Sequence, residues 1–189
     1  MSLLRKLIHL AMAWMPALGW LISYPLELAL AAVLLFASLI VELARRQWQW
    51  VNRLLWCVLP TTFRSDEGRQ VLGSTWFAVG ALGALILFGR DTGGTAVLFL
   101  TWGDPAAEFV GRRWGRPGRR KTLAGSLGCL LACLLAACVG IGLGGLNPLV
   151  ALTGAIVATL VERWSPPPDD NVWLPIVTGL AMWALQQAI

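Results

Sequence analysis

The sequence predicts an all-α, polytopic membrane helix bundle of about seven transmembrane helices, and three observations predict it. Of 189 residues, 57% are hydrophobic and only 13% are charged, with eleven Trp, which lies outside ordinary soluble usage. Charge-free apolar runs of about membrane-spanning length recur along the chain. The fifteen Lys and Arg gather in alternate loops, as the positive-inside rule requires. With so little polar sequence, residues 1–189 read as a single integral membrane domain, and any site must be built at the membrane.

Arg5, Lys6 and His9 precede and enter a first apolar run over 10–26. A charged start before a short apolar run can be a signal peptide, but the later segments are equally apolar. Tyr24-Pro25 marks a turn, and 26–43 is the second span, with Glu27 in its first turn where a carboxylate suits the helix dipole. Residues 44–59 mix Arg45, Arg46 and Arg53 with Trp48, Trp50 and Trp56, the composition of an interfacial anchor. Nucleic-acid binding would need a soluble reach that this segment lacks. A polar loop carrying Arg64 and Glu67 leads to a third span over 70–89, and 90–94 read as a turn.

Residues 95–102 are too short to cross a bilayer and must borrow the helix that follows. Gly103 and Pro105 are expected to break it there, which is tolerated at membrane depth where a helix lines a cavity. Asp104 and Glu108 are thereby drawn into or near the membrane, at ~2.5 to 3.5 kcal/mol each on insertion scales, so they should face the protein interior and have partners. Residues 122–161 are charge-free and, if helical, about 60 Å long, twice a bilayer. Two spans are required, divided by the Gly-rich stretch 140–148. Glu162 closes the sixth span, prolines forbid continuation, and 172–189 is the seventh. Alternation places every Lys and Arg except Arg90 on one side, which predicts a cytoplasmic N-terminus and a cytoplasmic side for His9, Glu67, Asp104, Lys121, Glu162 and Asp169 to Asn171. Cys57, Cys129, Cys133 and Cys138 show no CxxC and read as small apolar residues.

Residues 103–126 concentrate the chemistry. Asp104, Glu108, Gly111 and Gly115 follow a helical stripe. Behind them come Arg112, Arg113, Arg116, Arg119, Arg120 and Lys121, then Thr122, Gly125 and Ser126 at a helix start, where anions bind. Carboxylates for a divalent cation, glycines that admit close approach and a basic loop at a helix start are the parts of a magnesium-nucleotide site. Each part has a plainer reading: Asp104 as an N-cap with Pro105 at N1, GxxxG as a helix-packing seam, the basic run as a topology signal, His9 as an interfacial histidine, and Asp169, Asp170 and Asn171 as a turn capping the last helix.

Gly103-Asp104, Ala107, the acid at 108, GRRWG over 111–115 and KTLAGS over 121–126 resemble the signature of the dolichol kinase and phytol kinase family of membrane lipid kinases, relatives of CTP-dependent diacylglycerol kinases and of phosphatidate cytidylyltransferases. Ala124 and the acid at 108 look nearer the phytol kinase version. RKLIH at 5–9 resembles that family's RKxxH, Arg64 and Glu67 its RxxE, and Glu162 with Asp169, Asp170, Asn171 and a nearby proline its second signature. The resemblance implies a kinase that uses CTP and magnesium to phosphorylate phytol, a polyprenol or diacylglycerol. Asp104, Glu108 and Lys121 would be catalytic. Arg112, Arg119, Arg120, Thr122, Gly125 and Ser126 would bind nucleotide, and Asp104, Asp169 and Asp170 would hold the metal. Arg5, Lys6, His9, Arg64, Glu67, Glu162 and Asn171 are further candidates. The expected partners are CTP and a membrane lipid, without nucleic acid and compatibly with a homo-oligomer. The expected location is a bacterial inner (plasma) membrane with the site facing the cytoplasm. The alternatives are a cytidylyltransferase-type CTP transferase and, from another class, a small transporter or lipid-binding protein.

Overall fold

The computed structural model describes Pro16 and residues 18–58, 71–115, 121–164 and 167–189. Arg5, Lys6, His9, Arg64, Glu67, Arg116, Arg119 and Arg120 lie outside the described residues, as do residues 10–15 and 17 of the first expected span. Among the described residues there is no strand, and the principal helices are α1 (Tyr24–Gln47), α2 (Gln49–Val58), α3 (Gly73–Trp114), α4 (Leu123–Gly144), α5 (Pro148–Trp164) and α6 (Asp170–Ala188). Three of them, α1, α3 and α4, are long and apolar enough to cross a membrane.

Proline in its first turn and Glu27 beside it start α1, and Arg45 and Arg46 close its last turn, the charge order that a helix dipole favours. The chain is extended at Trp48, and the short α2 follows with Trp50 and Leu54 exposed, as an interfacial helix requires. The expected anchor over 44–59 is therefore divided, its first residues completing α1.

At 42 residues, α3 would be about 63 Å long if straight. It is instead a hairpin whose two arms, 73–88 and 90–114, meet at Gly89, the one residue inside α3 with non-helical backbone (φ 76°, ψ 179°). That conformation is essentially restricted to glycine. The arms touch at once: a Cβ on Gly93 would strike the backbone of Ala84 and come within 3.0 Å of Leu85 Cα. The expected turn over 90–94 is thus corrected. Those residues are helical, one glycine suffices for the reversal, and Gly93 serves close contact. The expected break at Gly103 and Pro105 is also corrected. Pro105 lies inside the second arm, and a Cβ on Gly103 would meet Cys133 Sγ at 2.9 Å and Cys129 Sγ at 3.0 Å. Gly103 is a seat for α4, and the tertiary contacts of this arm tolerate the bond that proline removes.

Named contacts give the direction of every helix but α2. At the Gly89 end, Tyr24 Oη donates to Leu85 O, the Arg90 guanidinium meets Glu27 at 2.9 Å, and Thr92 Oγ1 meets Gln186 Oε1 at 2.8 Å. At the opposite end, Leu72 N–H reaches Glu42, Asn171 Nδ2 reaches Gly73 O, and Lys121 reaches Glu162. Hence α1, the two arms of α3, α4, α5 and α6 run alternately between the two ends. Phe99, Leu98, Leu100, Leu174, Met182 and Val150 fill the centre. On α4 the inward stripe is small, with Gly125, Cys129, Cys133, Ala136 and Gly140 buried. Its outward stripe, Leu123, Leu127, Leu131 and Leu135, is exposed. Small residues inward and leucine outward is the membrane pattern, in which close backbone approach drives helix association.

Candidate functional site

The polar groups collect at the end of the bundle opposite Gly89. Lys121 stands in the loop just ahead of α4, and its Nζ lies 2.6 Å from Glu162 Oε1 on α5 and 3.4 Å from Asp170 Oδ2 on α6. The two carboxylates are almost wholly buried, with 4% and 5% of their side-chain surface exposed, against 24% for the lysine. Burial by itself would lower the pKa of Lys121, but Glu162 and Asp170, with a further contribution from Asp104, outweigh it and hold the pKa above that of an ordinary lysine. Three acidic side chains from three helical segments therefore act on one ammonium group.

Each partner is held by local structure. Asp169 is the N-cap of α6, its Oδ1 accepting from Asn171 N at 3.0 Å, which aims the next residue, Asp170, at Lys121. Thr122 is the N-cap of α4, its Oγ1 accepting from Gly125 N at 3.0 Å. Beside it, Arg163 donates to Ser126 Oγ at 3.2 Å. Glu108 pairs at 2.6 Å with Arg112, whose side chain is 67% exposed, a solvated pair on the outer turn of α3.

Three expectations change. Asp104 is inside a helix, so it is not an N-cap, and it acts on Lys121. Asp104, Asp169 and Asp170 do not form the expected metal set. Among the described residues no three acidic, His or Cys side chains converge on a metal-binding point, because Asp169 caps α6 and Asp170 faces the lysine. The carboxylate that joins Asp170 there is Glu162. Finally, Gly111, on the expected acidic stripe, and Gly125, at the expected anion-binding helix start, do not open toward a ligand. A Cβ on Gly111 would lie 3.1 Å from Thr122 Oγ1, and one on Gly125 would lie 2.8 Å from Ala107 O. These glycines join α3 to α4, and the Gly125 amide, expected to cradle phosphate, is engaged by Thr122.

A group the sequence reading missed lies at the same end. Glu42, 7% exposed, accepts from Arg45 at 2.7 and 2.8 Å, from Arg46 at 2.6 Å and from Leu72 N at 3.3 Å. The signal was available: an acid inside an apolar span with arginines at i+3 and i+4 is a partnered intramembrane charge.

No solved structure and no family model matches the chain. Curated relatives do match. Phytol kinase of Synechocystis sp. is 29% identical over 195 residues, covering 95% of this chain and 78% of the relative. CTP-dependent diacylglycerol kinase 1 of Saccharomyces cerevisiae is 26% identical over 186 residues, covering 82% of this chain and 61% of the relative. The chain is similar to these lipid kinases over most of its length. Its counterpart in Schizosaccharomyces pombe, also a CTP-dependent diacylglycerol kinase 1, is 26% identical over 163 residues. The chain spans 61% of the length of the Saccharomyces kinase and 54% of that from Eremothecium gossypii.

Proposed function

We propose that the chain is a CTP-dependent kinase that transfers the γ-phosphoryl group to the hydroxyl of phytol, a polyprenol or diacylglycerol. The observation that carries this reading is Lys121 gathered by Glu162 and Asp170 within the field of Asp104, in a chain whose relatives bear the names phytol kinase and CTP-dependent diacylglycerol kinase. In this reading Lys121 neutralises the triphosphate, helped by Arg119 and Arg120 next to it in sequence and by Arg163 and Ser126 beside the α4 N-terminus. Two carboxylates and hard oxygen donors suit Mg²⁺, which takes one or two protein carboxylates and completes its shell with water and phosphate oxygens. Glu162 and Asp170 would hold it, and it would supply charge neutralisation along the triphosphate. The lipid hydroxyl forms a bond to the γ phosphorus as the bond to CDP breaks, and its proton goes to one of these acidic groups or to solvent. The lipid enters sideways, past the exposed Phe109, Leu123 and Leu127 at this end.

With purified protein, Mg²⁺, and phytol, polyprenols and diacylglycerol as acceptors, label in the γ position of CTP should enter a chloroform-soluble monophosphate with release of CDP. Entry of α label with release of pyrophosphate would replace this reading by a cytidylyltransferase. Transfer to no acceptor would favour a transporter or lipid-binding protein.

The proposal includes seven spans, a cytoplasmic N-terminus and a site on the cytoplasmic face of a bacterial inner membrane. Its support is the cation distribution: among the described residues Arg45, Arg46, Arg112, Arg113, Lys121 and Arg163 share the site end, and Arg90 is at the other. Single cysteines at Trp164 and Gln187, both exposed, test it once the exposed Cys57 and Cys138 are replaced by Ser. An impermeant maleimide applied to intact cells should label position 187 and spare position 164. The reverse pattern would invert the site.

A further inference from the structure

The hydrogen bonds of Glu42 run to Arg45, Arg46 and Leu72 N, and the last of these leads toward the Lys121 cluster. The N-terminus of α3 has no side-chain cap of its own. It is held from two sides: Glu42 accepts the Leu72 N–H across 30 residues, and Asn171 Nδ2 donates to Gly73 O across 98. Asn171 follows Asp170, and both are buried at 7% or less. The first arm of α3 also bears directly on this turn, since a Cβ on Gly80 would strike Asn171 O and approach Val172 Cα to 3.0 Å. A shift of the α3 N-terminus must therefore move the first turn of α6, which carries the Asp170 carboxylate. Placing an acid inside a span is costly, and here it takes two arginines to hold it. A short backbone tie could be made more cheaply if nothing depended on its position.

We infer that Glu42 is a positioning residue for the Lys121 cluster, acting through the Leu72–Gly73 backbone and Asn171 to set Asp170 against Lys121. The inference deepens the kinase reading and rests on it for its kinetic consequence. Its structural consequence, the setting of Asp170 on Lys121, can be read without any turnover.

The test compares Arg45→Met with the pair Glu42→Met and Arg45→Met. The first keeps Glu42 on Leu72 with Arg46 as its partner, and the second removes the tie without leaving a buried arginine unpaired. In purified protein the pair should show kcat/KM for CTP at least about tenfold below that of Arg45→Met, with KM for the lipid unchanged. A merely destabilised protein would lose active fraction but keep its KM for CTP. The second readout is Lys121 itself. Lys6 and Lys121 are the only lysines of the chain, so ¹³C-methylation in a Lys6→Arg background gives one lysine signal, whose chemical shift at one fixed pH should move toward that of a free lysine in the pair but not in Arg45→Met. Asn171→Leu cuts the same path from the other side and should move that signal too. Folded variants with an unchanged Lys121 signal would overturn the inference, as would failure of the Met pair to fold when Asn171→Leu folds with Lys121 unchanged. If the wild-type protein transfers no phosphoryl group while the Lys121 signal responds as stated, the kinase reading fails and the positioning role stands.

Discussion

Lys121→Met is expected to lower phosphoryl transfer by about 10²- to 10³-fold, the usual effect of removing one preorganised group that meets developing charge. The effect follows from geometry, because one Nζ meets both buried carboxylates and lies just ahead of the α4 N-terminus. Lys121→Arg should restore little, since a planar guanidinium cannot replace a point charge that faces two acids at once. The same substitution removes the counter-ion of Glu162 and Asp170. Breaking a buried pair costs about 3–5 kcal/mol, and because Lys121 is 24% exposed the loss should lie at or below the lower figure. Adding Glu162→Gln and Asp170→Asn to Lys121→Met should recover thermal stability without recovering turnover. Near-normal transfer by folded Lys121→Met would remove the lysine from the mechanism. Because its pKa is raised in the fold, its stabilising contribution is complete below the unfolded value of about 10.4 and is lost only as pH climbs through the higher folded value. No alkaline loss from this group is expected near neutral pH.

Gly93→Leu is expected to prevent accumulation of folded protein. Its neighbours across the hairpin are backbone atoms of Ala84 and Leu85, which cannot turn aside as a side chain can. Overpacking commonly costs about 1–3 kcal/mol, and here relief requires opening the arms of α3, on which α4 and α6 both rest through Thr95, Gly140 and Phe88, Gly179. Gly142→Leu is the control, since nothing lies within 4 Å of a Cβ there. Solubilised yield and melting temperature should separate the two variants. Equal behaviour would mean that the arms do not meet at Gly93.

The helical membrane class and the clustering of acids and bases over 103–126 were legible in the sequence because each depends on local quantities. Apolar length gives spans, and a cluster of acids and bases between spans must lie at a membrane surface or have partners. Glu162, Asp170 and Lys121 were nameable from their flanking motifs. Their mutual contact was not, since it joins positions 41 and 49 residues apart and depends on how three helices are set side by side. The turn at Gly89 was misplaced because five polar or small residues in a row look like a loop, whereas a positive φ at one glycine is enough. The role of Gly111 and Gly125 was ambiguous for a similar reason: a missing side chain admits either a ligand or another helix, and only the approach of α4 to α3 decides which. Composition and spacing thus determined that this is a membrane helix bundle with charged chemistry around residues 103–126. The tertiary structure decided which acid faces Lys121, which glycines are seams, and that Glu42 belongs to the same polar end, because those depend on distances between segments that no local pattern encodes.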